Sequence, residues 1–139
     1  MKKRGAQPLV LIVDEDRDAC DFYLASLSYE SFRCIQASHA DAFERALALL
    51  PDLIIIDAPI FSVADGNAVQ RFKHDPRTRA IPIVVASAHA REEHRDNAML
   101  AGADGFFRKP VDLSQLTKEM RRLLAHSGRL EQGEGRKKP

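Results

Sequence analysis

Two stretches of the chain are apolar without interruption, Leu9–Val13 and Leu53–Ile56, and each ends on a carboxylate. Runs of four or five aliphatic residues with no polar alternation mark strands buried on both faces, as in a parallel sheet. Ile81–Ala86 has the same character, and Pro82 is tolerable near its start. Phe32–Ala37 instead alternates apolar and polar residues, as an edge strand does. Asp104–Arg108 reads as a short fifth strand.

Between these strands the period lengthens to that of helices. Residues 17–29 carry Ala19, Phe22, Tyr23 and Leu27 on one stripe, with Asp16 as the N-cap. Ser38, with Asp41 three residues on, starts a second helix whose core face is Ala42, Phe43, Ala46, Leu47 and Leu50, and Pro51 ends it. Ala58–Ala64 reads as irregular. Asp65–Gly66 then leads into a third helix with Val69 and Phe72 inward, broken at Asp75–Pro76. Residues 91–101 form a weakly apolar helix with Ala98 and Met99 as its core residues and Gly102 at its end. Asp112 caps a last helix with the stripe Leu113, Leu116, Met120, Leu123 and Leu124.

Five strands, each followed by a helix, predict a (βα)5 three-layer α/β sandwich with a parallel sheet at its centre. Right-handed crossovers restrict the topology to a doubly wound sheet of order 2-1-3-4-5, the flavodoxin-like arrangement. The 139 residues suffice for one domain, expected over residues 8–126. A basic tail (1–7) and a disordered tail (127–139), rich in Gly, Glu and Lys, flank it.

Composition narrows the classes. Hydrophobic residues make up 45% and charged residues 29%, the balance of a soluble globular protein. No apolar run approaches the roughly 18 residues that a membrane-spanning helix needs, and Met1-Lys2-Lys3-Arg4 lacks the apolar segment of a signal peptide. A cytoplasmic location is expected. The net charge of +1 is unevenly laid out, because residues 8–127 carry 14 Lys and Arg against 18 Asp and Glu. An acidic body with basic ends does not resemble a nucleic-acid-binding surface. Cys20 and Cys34 have neither redox nor metal spacing and read as reduced, partly buried thiols. His39, His74, His89, His94 and His126 are scattered, without the spacing of a zinc site, and read as surface residues.

In an open α/β sheet, ligands bind beyond the carboxyl ends of the strands where strand order reverses. The first strand delivers Asp14 and Glu15 there, the third Asp57, the fourth Ser87 and the fifth Lys109. An Asp at a strand exit often does no more than open a turn. Here the first and third strands are expected to be neighbours, which brings three carboxylates within a few ångströms and calls for positive charge among them. Hard oxygen ligands suit Mg²⁺, or Mn²⁺. A metal, a carboxylate, a Lys and a hydroxyl are the equipment of phosphoryl transfer. Asp57 is then the nucleophile, since carboxylates form acyl phosphates. Asp14 and Glu15 hold the metal, and Ser87 bonds a phosphoryl oxygen.

These residues resemble the receiver domain of bacterial two-component response regulators, and the resemblance covers residues 8 to about 126. It rests on the acidic pair Asp14-Glu15, Asp57, Ser87-Ala88, the aromatic Phe106 and Lys109-Pro110, in this order and each at the end of a strand. The resemblance implies a stand-alone phosphoprotein that takes a phosphoryl group on Asp57 from a sensor histidine kinase or a histidine phosphotransfer protein. The carbonyl of Pro59 completes the metal ligands, and the peptide bond before Pro110 is cis. Ser87 and Phe106 act as the switch, remodelling the face of the fourth helix, fifth strand and fifth helix, through which a target protein or a second copy is engaged. The chemistry is confined to its own phosphorylation and dephosphorylation, so the chain is a signalling domain and not an enzyme on other substrates.

One segment departs from the family pattern. The proline expected four residues after the phosphoacceptor is replaced by Pro59, two after, and Asp65-Gly66 follows a loop about one residue longer. Pro59 can offer its carbonyl to a metal but no N–H to a phosphoryl group. A pseudo-receiver, the same fold acting as a phosphorylation-independent interaction module, is the alternative. A flavodoxin-like nucleotide binder is a third reading, but it lacks a glycine-rich phosphate loop after the first strand.

Overall fold

The computed structural model describes residues 7–15, 17–89 and 91–127, with residues 17–20 described by their backbone alone. Strands and helices alternate through β1 (Leu9–Val13), α1 (Arg17–Tyr29), β2 (Arg33–Ala37), α2 (Ala42–Leu49) and β3 (Leu53–Ile60). They continue through α3 (Val63–His74), β4 (Ile83–His89), α4 (Glu92–Ala101), β5 (Gly105–Arg108) and α5 (Leu113–His126). All strand pairs are parallel and their order is β2-β1-β3-β4-β5, the doubly wound flavodoxin-like sheet that the alternation predicts. No helix among the described residues is long and apolar enough to cross a membrane. The expectations for Asp16, for the side chain of Cys20 and for most of both tails lie outside the described residues.

The uninterrupted apolar runs are explained by the two layers of helices. Val10, Ile12, Leu53, Ile55 and Val84 point to one side, against Tyr23 and Leu27 of α1 and Leu116, Met120 and Leu124 of α5. Leu11, Val13, Ile54, Ile56, Ile83 and Val85 point to the other, against Ala42, Ala46, Val69, Phe72 and Ala98 of α2, α3 and α4. Each such side chain, fully buried, contributes about 1.5–3 kcal/mol relative to exposure.

Several helix positions differ from the expected stripes. Phe22 is 49% exposed, packing edge-on against the buried Tyr23, and Met99 lies at the surface of α4. Leu50 is not a core residue: it closes α2 at φ 47°, in the left-handed region where the chain reverses before Pro51, and its side chain is exposed. Ser38 does not cap α2 as predicted; its hydroxyl accepts the Asp41 N–H one turn earlier, and the helix starts at Ala42.

The largest correction concerns the segment after Asp57. It is not irregular from Ala58 to Ala64: β3 runs on to Ile60, which pairs with His89 of an equally lengthened β4. The third helix does not wait for Asp65-Gly66. Ser62 and Asp65 form a reciprocal capping box, in which the Ser62 hydroxyl accepts the Asp65 N–H and the Asp65 carboxylate accepts the Ser62 N–H, so the helix begins at Val63.

Candidate functional site

Asp57 sits within β3 in alternation with Leu53 and Ile55, so its side chain belongs to the α1/α5 side of the sheet. It is 2% exposed. A carboxylate so buried needs partners on both oxygens. Lys109, which follows β5 directly, donates from Nζ to Oδ1 at 2.6 Å, and the Tyr23 hydroxyl of α1 donates to Oδ2 at 2.6 Å. The β1–β3 register pairs Val13 with Ile56, which puts Asp14 and Asp57 on the next rung, and Asp14 is also buried.

The three acids do not converge as the sequence suggests. Glu15 is turned away: its Oε2 accepts the His39 N–H at 2.7 Å and lies 3.1 Å from His39 Nδ1. His39 follows β2, the neighbour of β1, and offers Glu15 two donors without the repulsion of Asp14 and Asp57. These hydrogen bonds, the backbone one first, hold the Glu15 carboxyl below its ordinary pKa. Among the described residues no group of three His, Cys, Asp or Glu side chains is disposed around one metal position. The donor set is nonetheless of the right chemistry for a hard divalent cation, since Asp14, Asp57 and the Pro59 carbonyl all present oxygen.

Ser87 is fully buried, and its hydroxyl lies 3.3 Å from the Pro59 carbonyl and 3.2 Å from that of His89. Alternation along β4 sets Ser87 in phase with Ile83 and Val85, on the α2–α4 side, opposite to Asp57. Phe106 is half-buried on that same side, and its strand position pairs with Val85. The Lys109–Pro110 peptide bond is cis. The structure therefore brings together Asp57, Lys109 and the backbone at Asp14, and it separates Glu15, Ser87 and Phe106 from the carboxylate.

Two residues of the site were not legible as such. Tyr23 reads as a core aromatic, and it is one, but a phenol midway along α1 carries a donor that a Phe lacks. His39 pairs with Glu15 24 positions away, and its Nε2 lies 3.5 Å from Asp65 Oδ1, a proximity that no local spacing announces.

The family model of the response regulator receiver domain matches residues 10–121. Among curated proteins, the chain is 28% identical over 128 residues to the DNA-binding dual master transcriptional regulator RpaA of Synechocystis sp., covering 90% of this chain and 52% of that protein. The chain thus spans about half the length of the first curated relatives it matches. A putative response regulator from Chloroflexus aurantiacus superposes with a TM-score of 0.79 at 23% identity, covering 86% of this chain and 98% of that one. The receiver domain of a sensor histidine kinase from Pseudomonas aeruginosa superposes with a TM-score of 0.76 at 21% identity, covering 86% and 99%. That protein was crystallised with a magnesium ion coordinated in its active-site cleft.

Proposed function

This chain belongs to the family of response regulator receiver domains of bacterial two-component systems, and on that premise we propose that it is a receiver phosphorylated on Asp57 in a Mg²⁺-dependent reaction. The observation that carries the reading is the Lys109 ammonium 2.6 Å from a carboxylate that is otherwise shielded from water. A fixed cation at that distance neutralises charge as a phosphoryl group arrives. The donor of the phosphoryl group is a sensor histidine kinase or a histidine phosphotransfer protein.

Asp14, Asp57 and the Pro59 carbonyl are the residues to hold the metal, with Glu15 joining them by leaving His39. When bound, Mg²⁺ supplies charge neutralisation and orientation of phosphate oxygens. Lys109 binds and orients the phosphoryl group. Ser87 bonds one of its oxygens after giving up the Pro59 and His89 carbonyls, and Phe106, on the same side of the sheet, moves with it. The output is a protein contact through α4, β5 and α5, made in the cytoplasm with a target or with a second copy of the chain. In this reading the domain signals through that protein contact, with no direct contact of its own to nucleic acid or membrane.

Pro59, which offers no N–H to a phosphoryl group, and Glu15, bound to His39, favour a second reading as a phosphorylation-independent interaction module. Mass measurement after incubation with Mg²⁺ and acetyl phosphate separates the two. The receiver gains the mass of one phosphoryl group and Asp57→Asn gains none. No gain in the wild-type chain, or a gain kept by Asp57→Asn, favours the module.

A further inference from the structure

Tyr23 stands outside the machinery just described, yet its hydroxyl makes one of the two shortest contacts to Asp57. The ring is 2% exposed and packed among the side chains between the sheet and α1 and α5, so the hydroxyl is held where it is by the core and not by a mobile loop. With Lys109 on Oδ1 and Tyr23 on Oδ2, both oxygens of the carboxylate are engaged.

The two partners behave differently during phosphoryl transfer. In that step an Asp57 oxygen forms a bond to phosphorus while the bond from phosphorus to the donor's acyl oxygen breaks, and the electron pair leaves with acetate when acetyl phosphate is the donor. The negative charge moves from the carboxylate outward to the phosphoryl oxygens. Lys109 follows it, because an ammonium can turn its three donors to the incoming group. The Tyr23 hydroxyl stays behind with an acyl oxygen that is no longer charged, and a hydrogen bond to a charged acceptor is roughly twice as strong as one to a neutral acceptor. A contact that is stronger in the ground state than in the transition state slows the step.

We infer that Tyr23 is a positioning residue that locks Asp57 in a weakly nucleophilic, hydrogen-bonded form, and that its bond is given up when the carboxylate is phosphorylated. The inference rests on the phosphoacceptor reading of Asp57.

The sequence supplies its own reporter. The chain has no Trp and two Tyr, and the second, Tyr29, is almost fully exposed. In the Tyr29→Phe protein, ultraviolet emission comes from Tyr23 alone, and a phenol that donates to a carboxylate is quenched. Emission is expected to rise as Mg²⁺ and acetyl phosphate convert the protein, in step with the gain of phosphoryl mass. In a second arm, Tyr23→Phe is expected to gain that mass about tenfold faster than the wild-type chain, the rate equivalent of one hydrogen bond to a charged group. Equal rates in the two proteins, or emission that stays constant through complete phosphorylation, overturn the lock while leaving the phosphoacceptor reading intact. No mass gain in either protein overturns that reading and the lock with it. The Tyr29→Phe arm keeps Tyr23 in place, so it decides the matter even if Tyr23→Phe folds poorly.

Discussion

Lys73 and Asp104 join the end of α3 to the start of β5 through a contact of 2.9 Å, and the same Asp104 oxygen accepts the Ile83 N–H at 2.9 Å. Lys73 also donates to the Ile81 carbonyl, so the pair staples two connections to the sheet edge. Asp104→Ala leaves a partly buried ammonium and a backbone N–H without this acceptor. The expected loss is about 2 kcal/mol of unfolding free energy, read from the urea midpoint. A change within about 0.5 kcal/mol, as for an ordinary surface pair, shows that the staple carries no weight.

Lys109 has a structural role besides the chemical one proposed for it, because it compensates a carboxylate that water barely reaches. Lys109→Ala is expected to lower stability by about 2 kcal/mol, since removing one partner of a buried pair strands the other. Adding Asp57→Asn in the same chain removes the stranded charge and is expected to restore most of that loss, a coupling that a double-mutant cycle reads directly. Additive losses in the double variant contradict this account of the pair.

Burial against the α1/α5 layer pushes the Cys34 thiol up to about 12 from an ordinary value of 9.0. The unfolded chain therefore ionises this thiol first. The associated stability is fully present below pH 9.0 and is lost as pH rises from there toward 12. In a Cys20→Ser background at pH 8, alkylation by iodoacetamide is expected to run at least about a hundredfold slower in the folded protein than in urea. Comparable rates place Cys34 in contact with solvent.

How much of this was legible in the sequence depends on how local each cause is. The strand runs, the breaks at Pro51 and Asp75-Pro76 and the Asp112 cap follow from neighbouring residues, and with crossover handedness they specify the sheet order. The extension of β3 past Asp57 was hidden because Pro59 reads as a breaker, whereas pairing of Ile60 with His89 continues the strand around it. The same holds at the site. Asp57 and Lys109 announce themselves by position at strand ends, but Tyr23 and His39 gain their meaning from partners 34 and 24 positions away.

The alternation that puts Asp57 in phase with Ile55, and Ser87 in phase with Val85, gives the sheet the role of a partition. The acidic chemistry is on the side of α1 and α5, and the hydroxyl and Phe106 are on the side of α3 and α4. On the proposed reading, a charge added to Asp57 reaches the other compartment around the strand ends, across the short span from Pro59 to Ser87. The contact of the Ser87 hydroxyl with the Pro59 carbonyl is therefore the point where the two compartments meet.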